Sequence, residues 1–290
     1  MITVNLIGGL GNQMFQYAFG KALARRMGCE LTFDVADFSW YAMHEGLQID
    51  QLGALVDRAS DGALRRLLGW RHQTWARRLR LYKRLPSRHT VVEPFFQYCS
   101  ACAQSPDGSY LVGYWHSYRY FSDCARDVRT DFGSGDVDLS AFGSLLEQIT
   151  TSESVAIHVR RGDYVSTTRG KRVLGPCSAE YYASAIALMR SIVPNAKFFV
   201  FSDEPESVAS EKLIVEPHIL VNVRPRPPAF AELRLMTKCK HFIIANSSFS
   251  WWAAWLASYP TKVVMAPQHW FRDASLDVSD LFPADWLIVR

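Results

Sequence analysis

Apolar residues in this chain fall into short β-branched runs separated by stretches of helical spacing, and that alternation sets the first expectation. Residues 2–7 read as a buried strand, Gly8-Gly9-Leu10-Gly11-Asn12-Gln13 as a glycine turn, and residues 13–27 as a helix. Ala18, Ala22 and Ala24 let that helix lie close to a sheet, Gly28 suits its C′ position, and residues 31–34 follow as a second strand. Residues 110–115 make a further strand. The pattern then repeats with little interruption: strands over 154–157, 197–201, 241–245 and 262–265, an extended piece at 219–222, and helices over 178–192, 229–239 and 249–257. Strands and helices in alternation build parallel sheets covered on both faces, an α/β protein.

The chain has 290 residues, enough for two domains. The best linker is Phe132-Gly133-Ser134-Gly135-Asp136, which places the boundary between it and Thr151 and predicts domains over 1–150 and 151–290. The first residues lack the basic and apolar regions of a signal peptide, and six scattered cysteines suit a reducing compartment, so a cytoplasmic location is expected. Cys99-Ser100-Ala101-Cys102 has no second pair to complete a metal site.

The net charge of +4 is unevenly spread: residues 62–92 hold nine Lys/Arg and no Asp or Glu. Within them Leu64, Leu68, Trp75, Leu79 and Tyr82 keep an approximate helical period, with a break near Gly69 and a stop at Pro86. Two readings stay open, a basic amphipathic helix in peripheral contact with an anionic membrane and a solvated helix face whose apolar stripe is core. No nucleic-acid-binding pattern accompanies the charge, and nucleic acid is not an expected partner.

Candidate chemistry concentrates after the predicted strands. His158-Val159-Arg160-Arg161-Gly162-Asp163-Tyr164 puts two guanidiniums and a glycine at a strand's carboxyl end, where open α/β sheets bind ligands, and a pyrophosphate suits that pair. The alternative is an ordinary ion pair of Arg161 with Asp163. Ser202-Asp203 and Asn246-Ser247-Ser248-Phe249-Ser250 leave two other strands with an acceptor and with phosphate donors, so the three loops together describe a nucleotide-diphosphate site. The glycine turn at the N-terminus also resembles a dinucleotide fingerprint, but Met14 stands where a third glycine is needed, although Asp34 falls near the ribose-binding acid. Asp136-Val137-Asp138 has DxD spacing, yet it opens a predicted helix over 139–149 as a cap would. His116-Ser117-Tyr118-Arg119-Tyr120-Phe121 mixes aromatic and polar groups suited to a sugar ring or to packing.

Taken in order, the N-terminal Gly8-to-Ala18 motif, the His158-to-Tyr164 motif, Phe201-Ser202-Asp203 and Asn246-to-Leu256 resemble the bacterial α-1,2-fucosyltransferases of glycosyltransferase family 11. The resemblance implies a GT-B fold of two Rossmann-like domains facing across a cleft, the first binding acceptor and the second GDP-fucose, with no metal or other cofactor and with inversion at the anomeric carbon. It also implies that Arg160 holds the β-phosphate, Asp203 reads guanine, Ser247, Ser248, Phe249 and Ser250 cradle phosphate beside Asn246, and Asn12 lies near the donor sugar with Gly11 and Gln13. His158, Arg161 and Ser202 complete the expected donor site. Asp163 is the candidate proton acceptor, with orientation of Arg161 as its other reading. Trp115, His116 and Tyr118 are expected to meet the acceptor; His116 and Tyr118 depart from the family pattern, which puts acceptor choice in question.

The implied reaction is transfer of L-fucose to O2 of a galactose in an oligosaccharide or lipid-linked glycan such as an O-antigen. An NAD(P)-dependent oxidoreductase built on the first βαβ unit and an inactive glycan-binding, membrane-associated scaffold are the alternatives.

Overall fold

The computed structural model describes residues 1–40, 46–94, 96–168, 170–273 and 276–290. The chain forms two compact units, one of Met1–Asp136 with Asp277–Phe282 and one of Val137–Leu276 with Pro283–Arg290. The division lies at Asp136–Val137, ahead of the expected 150/151 boundary, so helix Ser144–Thr151 belongs to the second unit.

The first unit holds β1 (Ile2–Asn5), β2 (Leu31–Asp34), β3 (Thr90–Val92) and β4 (Tyr110–Val112), all parallel, in the order β2-β1-β4-β3. Every residue of β1 is buried, as suits a central strand with both faces covered. Gly8, at φ 89°, turns the chain into helix Leu10–Met27, which begins ahead of the expected residue 13. Gly20 lets that helix lie against the sheet, since a Cβ there would stand 2.5 Å from Val4 Cγ2. Gly28 ends the helix in the left-handed conformation (φ 60°, ψ 36°), as its position suggests.

The basic stretch keeps the expected break near Gly69 but is more divided than the spacing suggests. Instead of one interrupted helix it forms helix Asp61–Leu68, a 3-10 turn Gly69–His72, and short helices Thr74–Arg78 and Leu81–Arg84. Leu64, Leu68 and Tyr82 do pack into core with Tyr110 and Val112, whereas Trp75 and Leu79 stay exposed. Arg77 is not on a solvated face. It is buried with Asp34 and Asp37, donating through Nη1 to Asp34 Oδ2 (2.7 Å) and through Nη2 to Asp37 Oδ1 (2.8 Å). Tyr110 and Tyr82 hydroxyls donate to the same two carboxylates, each at 2.6 Å.

The chain returns to the first unit late. Asp280 accepts from Tyr98 N (3.1 Å) and Arg119 Nη1 (2.8 Å) through its carboxylate, and its carbonyl accepts from Ser117 Oγ (2.9 Å).

The second unit holds β5 (Glu153–Val159), β6 (Ala196–Ser202), β7 (His218–Leu220), β8 (His241–Ile243), β9 (Val264–Pro267) and β10 (Leu287–Val289), all parallel, in the order β10-β9-β8-β5-β6-β7. Strand alternation sends Val155, Ile157 and Val159 into one core with Tyr181, Tyr182, Ile186 and Met189 of helix Ala179–Ile192, whose Ser178 cap accepts from Tyr181 N as expected. His158 therefore points to the other face, towards helix Ser248–Leu256. The Asp136-Val137-Asp138 segment serves as a turn: Asp138 accepts from Ser140 N and Oγ at 2.8 and 2.9 Å, and Gly143 separates the 3-10 turn Ser140–Phe142 from helix Ser144–Thr151.

Strand order defines where each sheet reverses direction. In the second unit the chain winds one way from β5 through β6 and β7 and the other way through β8 to β10, so the crevice lies between the carboxyl ends of β5 and β8. In the first unit it lies between β1 and β4.

Candidate active site

The loops at the second crevice are those carrying Arg160 to Asp163 and Asn246 to Ser250. Arg160 divides its guanidinium between two carboxylates, with Nη2 donating to Asp163 Oδ1 (2.5 Å) and Nη1 lying 3.1 Å from Asp203 Oδ2. Burial alone would lower the Arg160 pKa; Asp203 and then Asp163 outweigh it and hold the group above its ordinary value. Asp203, at the end of β6, also accepts the Arg161 backbone N–H at 2.9 Å. Gly162 permits this arrangement, because a Cβ there would collide with Asp203 Oδ2. The expected pairing of Arg161 with Asp163 is replaced: Asp163 holds Arg160, while the Arg161 side chain pairs with Glu211.

His158 is buried, its Nδ1 3.0 Å from Ser250 Oγ and its ring 5.6 Å from that of Phe249. Burial first, then the charges of Arg160 and Arg226, push its pKa down to about 3, so the ring is neutral at physiological pH and joins β5 to the neighbouring helix. Ser247 caps that helix by accepting from Phe249 N, and Ser248 and Ser250 fill the first turn. The helix N-terminus, with its partial positive charge, suits an anion, and buried Trp251 and Trp252 anchor the helix below it. Asn246 has a different task. Its amide donates to the carbonyls of Gly175 (2.9 Å) and Trp270 (3.0 Å), so it ties loops together.

Ser202 caps the turn after β6 by accepting from Glu204 N at 3.0 Å. Beside it lies a hollow of about 130 Å³ bordered by Asp203, Asn222, Arg226 and Glu232. Arg226 clamps it, donating to the Asp203 carbonyl (2.7 Å) and pairing bidentately with Glu232 (3.1 and 3.0 Å). Neither Arg226 nor Glu232 stands out in the sequence: Arg226 sits in an Arg-Pro-Arg-Pro run with no periodic signal.

At the first unit's crevice, His116 Nε2 lies 3.0 Å from Asn12 Oδ1, joining the loop after β4 to the helix after β1. An amide oxygen accepts, so Nε2 carries the hydrogen and Nδ1 is left as an acceptor; it is buried with no hydrogen-bond partner among the described residues. Burial lowers the His116 pKa to about 4. The other expected residues divide. Tyr118 is half-buried at the start of a 3-10 turn. Trp115 is wholly buried at φ 59°, its ring 4.6 Å from Phe19 and 5.6 Å from Tyr120, and in this conformation it is core rather than a lining for an acceptor. Gln13 is likewise internal, its amide donating to Gly8 O (2.9 Å) and Gly46 O (2.7 Å) and accepting from Gln48 N (3.0 Å), while Gly11 is buried in the helix.

Sequence reasoning missed Glu93, directly after β3. Its carboxylate accepts the N–H groups of Tyr114 (2.7 Å) and Trp115 (2.8 Å) and so fixes the loop that carries His116. Burial raises its pKa to about 7 in spite of those two bonds.

The dinucleotide reading loses its acid. Asp34 is bound by Arg77 and Tyr110 in the core.

Two parallel-sheet units, with arginines and a helix N-terminus at one crevice, suit a ligand bearing a diphosphate. The glycosyl transferase family 11 model matches residues 80–290. The chain is 32% identical to an alpha-1,2-colitosyltransferase of Escherichia coli, across 100% of this chain and 99% of that protein, and 25% identical to the O-antigen biosynthesis glycosyltransferase WbnK of Escherichia coli, across 97% and 98%. Among solved structures it is similar to the fucosyltransferase NodZ from Bradyrhizobium, with a TM-score of 0.46 and 14% identity over 87% of this chain and 92% of that one. The chain belongs to glycosyltransferase family 11 and is a glycosyltransferase.

Proposed function

We propose that the chain transfers L-fucose from GDP-fucose to O2 of a galactose in a bacterial surface glycan, with inversion and without a metal. The observation that carries this reading is the Arg160 guanidinium, held between Asp163 and Asp203 at the sheet crevice that also receives the N-terminus of helix Ser248–Leu256. The acceptor hydroxyl oxygen bonds to the anomeric carbon, giving up its proton to water, as the bond from that carbon to the phosphate oxygen breaks. GDP leaves with the electron pair. Arg160 and the helix N-terminus meet the charge that develops there, the place a divalent cation takes in metal-dependent transferases. The hollow beside Asp203 suits guanine, whose N1–H and N2 amine are donors for carboxylates. Asp163, engaged by Arg160, serves as an orienter of that guanidinium rather than as the proton acceptor.

A second reading concerns the sugar alone. Because the 32% identical relative is a colitosyltransferase along its whole length, a colitosyl donor is the alternative to GDP-fucose.

The test is turnover with each donor and a galactoside acceptor, with and without excess EDTA. Fucosyl transfer that persists in EDTA is expected; activity lost to EDTA and restored by Mn²⁺ would refute metal independence, and preference for the colitosyl donor would replace fucose. In the same assay Arg160→Lys should lower kcat/KM by about a hundredfold, since an ammonium cannot span two carboxylates and a phosphate. Near-normal turnover by the folded variant would mean that the charge on the leaving GDP is met by groups other than Arg160.

A further inference from the structure

The basic stretch of the first unit carries exposed apolar groups that its own core does not use. Leu64, Leu67, Leu68 and Tyr82 point inward, yet Trp70, Trp75, Leu79 and Leu85 are 44%, 53%, 54% and 54% exposed. Trp70 and Trp75 stack on each other with ring centroids 5.6 Å apart and planes within 13°, and the Arg71 guanidinium lies 4.9 Å over Trp70. Trp75 and Leu79 line one shallow surface hollow with Gln73, Thr74 and Arg78. Arg66, Arg78, Arg80, Lys83 and Arg84 are exposed along the same stretch, and residues 62–92 contain no acidic residue, although Asp61 just ahead of them pairs with Arg65 at 3.1 Å.

We propose that this face docks on an anionic membrane surface. Tryptophan prefers the headgroup level of a bilayer, where its ring is apolar and its N–H remains wet, and leucines beside it reach the acyl boundary. Surrounding arginines supply the attraction to anionic lipid. Both features are needed to choose among partners. An acidic protein segment would satisfy the charge but gives no reason for a stacked tryptophan pair with leucines in water. A second copy of the chain would bring two faces of the same sign together. Among the described residues no helix is long and apolar enough to cross a membrane, so the contact proposed is a peripheral one. It does not depend on which sugar the second unit transfers.

The experiment is cosedimentation of the full chain with phosphatidylcholine vesicles and with vesicles that also contain phosphatidylglycerol, together with tryptophan emission. Binding to the anionic vesicles alone is expected, with a blue shift, and release in high salt as screening shortens the attraction. Arg66→Gln/Arg78→Gln/Arg84→Gln should bind about a hundredfold more weakly, equivalent to about 1 kcal/mol per charge removed. Trp75→Ser/Leu79→Ser should lose the blue shift and most of the binding. All five positions are exposed, so circular dichroism and thermal melting should match the parent chain. Arg77 is excluded from these variants because it is core. The proposal is overturned by failure to bind either vesicle, by equal binding to both, or by full binding of the Trp75→Ser/Leu79→Ser chain. Lipid-free self-association that Trp75→Ser abolishes would also overturn it and assign the face to a second copy.

Discussion

Gly162 shows how one missing carbon shapes a charged site. The Asp203 carboxylate reaches Arg160 and the Arg161 N–H only because nothing projects from residue 162. In Gly162→Ala the new methyl displaces Asp203, a cost of about 1–3 kcal/mol for an overpacked contact. That displacement releases one of the two carboxylates that aim Arg160. The expected result is a chain that melts a few degrees lower and binds GDP far more weakly, read by calorimetry; unchanged affinity would show that the aim of Arg160 does not matter to the nucleotide. The glycine and the two arginines were legible in the sequence because their residue types restrict the chemistry. Which arginine Asp163 would hold was not legible, because the neighbouring pair competes for it and Glu211 draws Arg161 away.

Among the elements, short buried runs were the readable part. β5, β6 and the helices Ala179–Ile192 and Ser248–Leu256 lie close to where periodicity put them, since both faces of a central strand and one face of a covering helix must be apolar. β3 and β10 were missed: each has three residues, and two of the three in β10 are exposed, so neither displays a pattern. Arg77 was misread for a related reason. Arg77 is surrounded in sequence by solvated arginines, and only pairing with carboxylates far back in the chain, at positions 34 and 37, takes it inside. Arg77→Gln leaves two buried carboxylates without their counter-charge, and the loss of a buried partner costs about 3–5 kcal/mol. A large fall in melting temperature is expected for this variant and little change for Arg78→Gln. Equal melting of the two would mean that Asp34 and Asp37 are neutralised by other means. The same network explains why an acid at position 34 is a poor guide to ribose binding in this chain.

For the whole molecule, His158, His116 and Glu93 carry large shifts that bear on the response to acid. Burial holds His158 and His116 down at about 3 and 4, so the unfolded chain takes up a proton at each before the folded chain does. Their contribution to stability is complete above the unfolded value of about 6.5 and is lost as pH falls below it. Glu93, raised to about 7, acts in the opposite sense: the folded chain keeps its proton, so stability falls as pH rises through the range above about 4.5. Between pH of about 4.5 and 6.5 two protons taken by the unfolded state stand against one held by the folded state, and the net slope from these groups is about 1.4 kcal/mol per pH unit, rising with pH. Denaturant unfolding across that range should flatten in His158→Gln and steepen in Glu93→Gln. A slope indifferent to both substitutions would place the acid response elsewhere.

The late return of the chain to its first unit bears on how the protein is assembled and how it can be recombined. Tyr98, Ser117 and Arg119 wait for Asp280, so during synthesis the first unit lacks these contacts until nearly all of the second has emerged from the ribosome. The second unit is then finished by β10, which adds to the sheet edge beside β9. A chimera that joins residues 1–136 to the remainder of a relative would therefore inherit a foreign piece in its first unit. Exchange of intact units requires two junctions more, on either side of Asp277–Phe282, with that segment kept alongside the residues it caps.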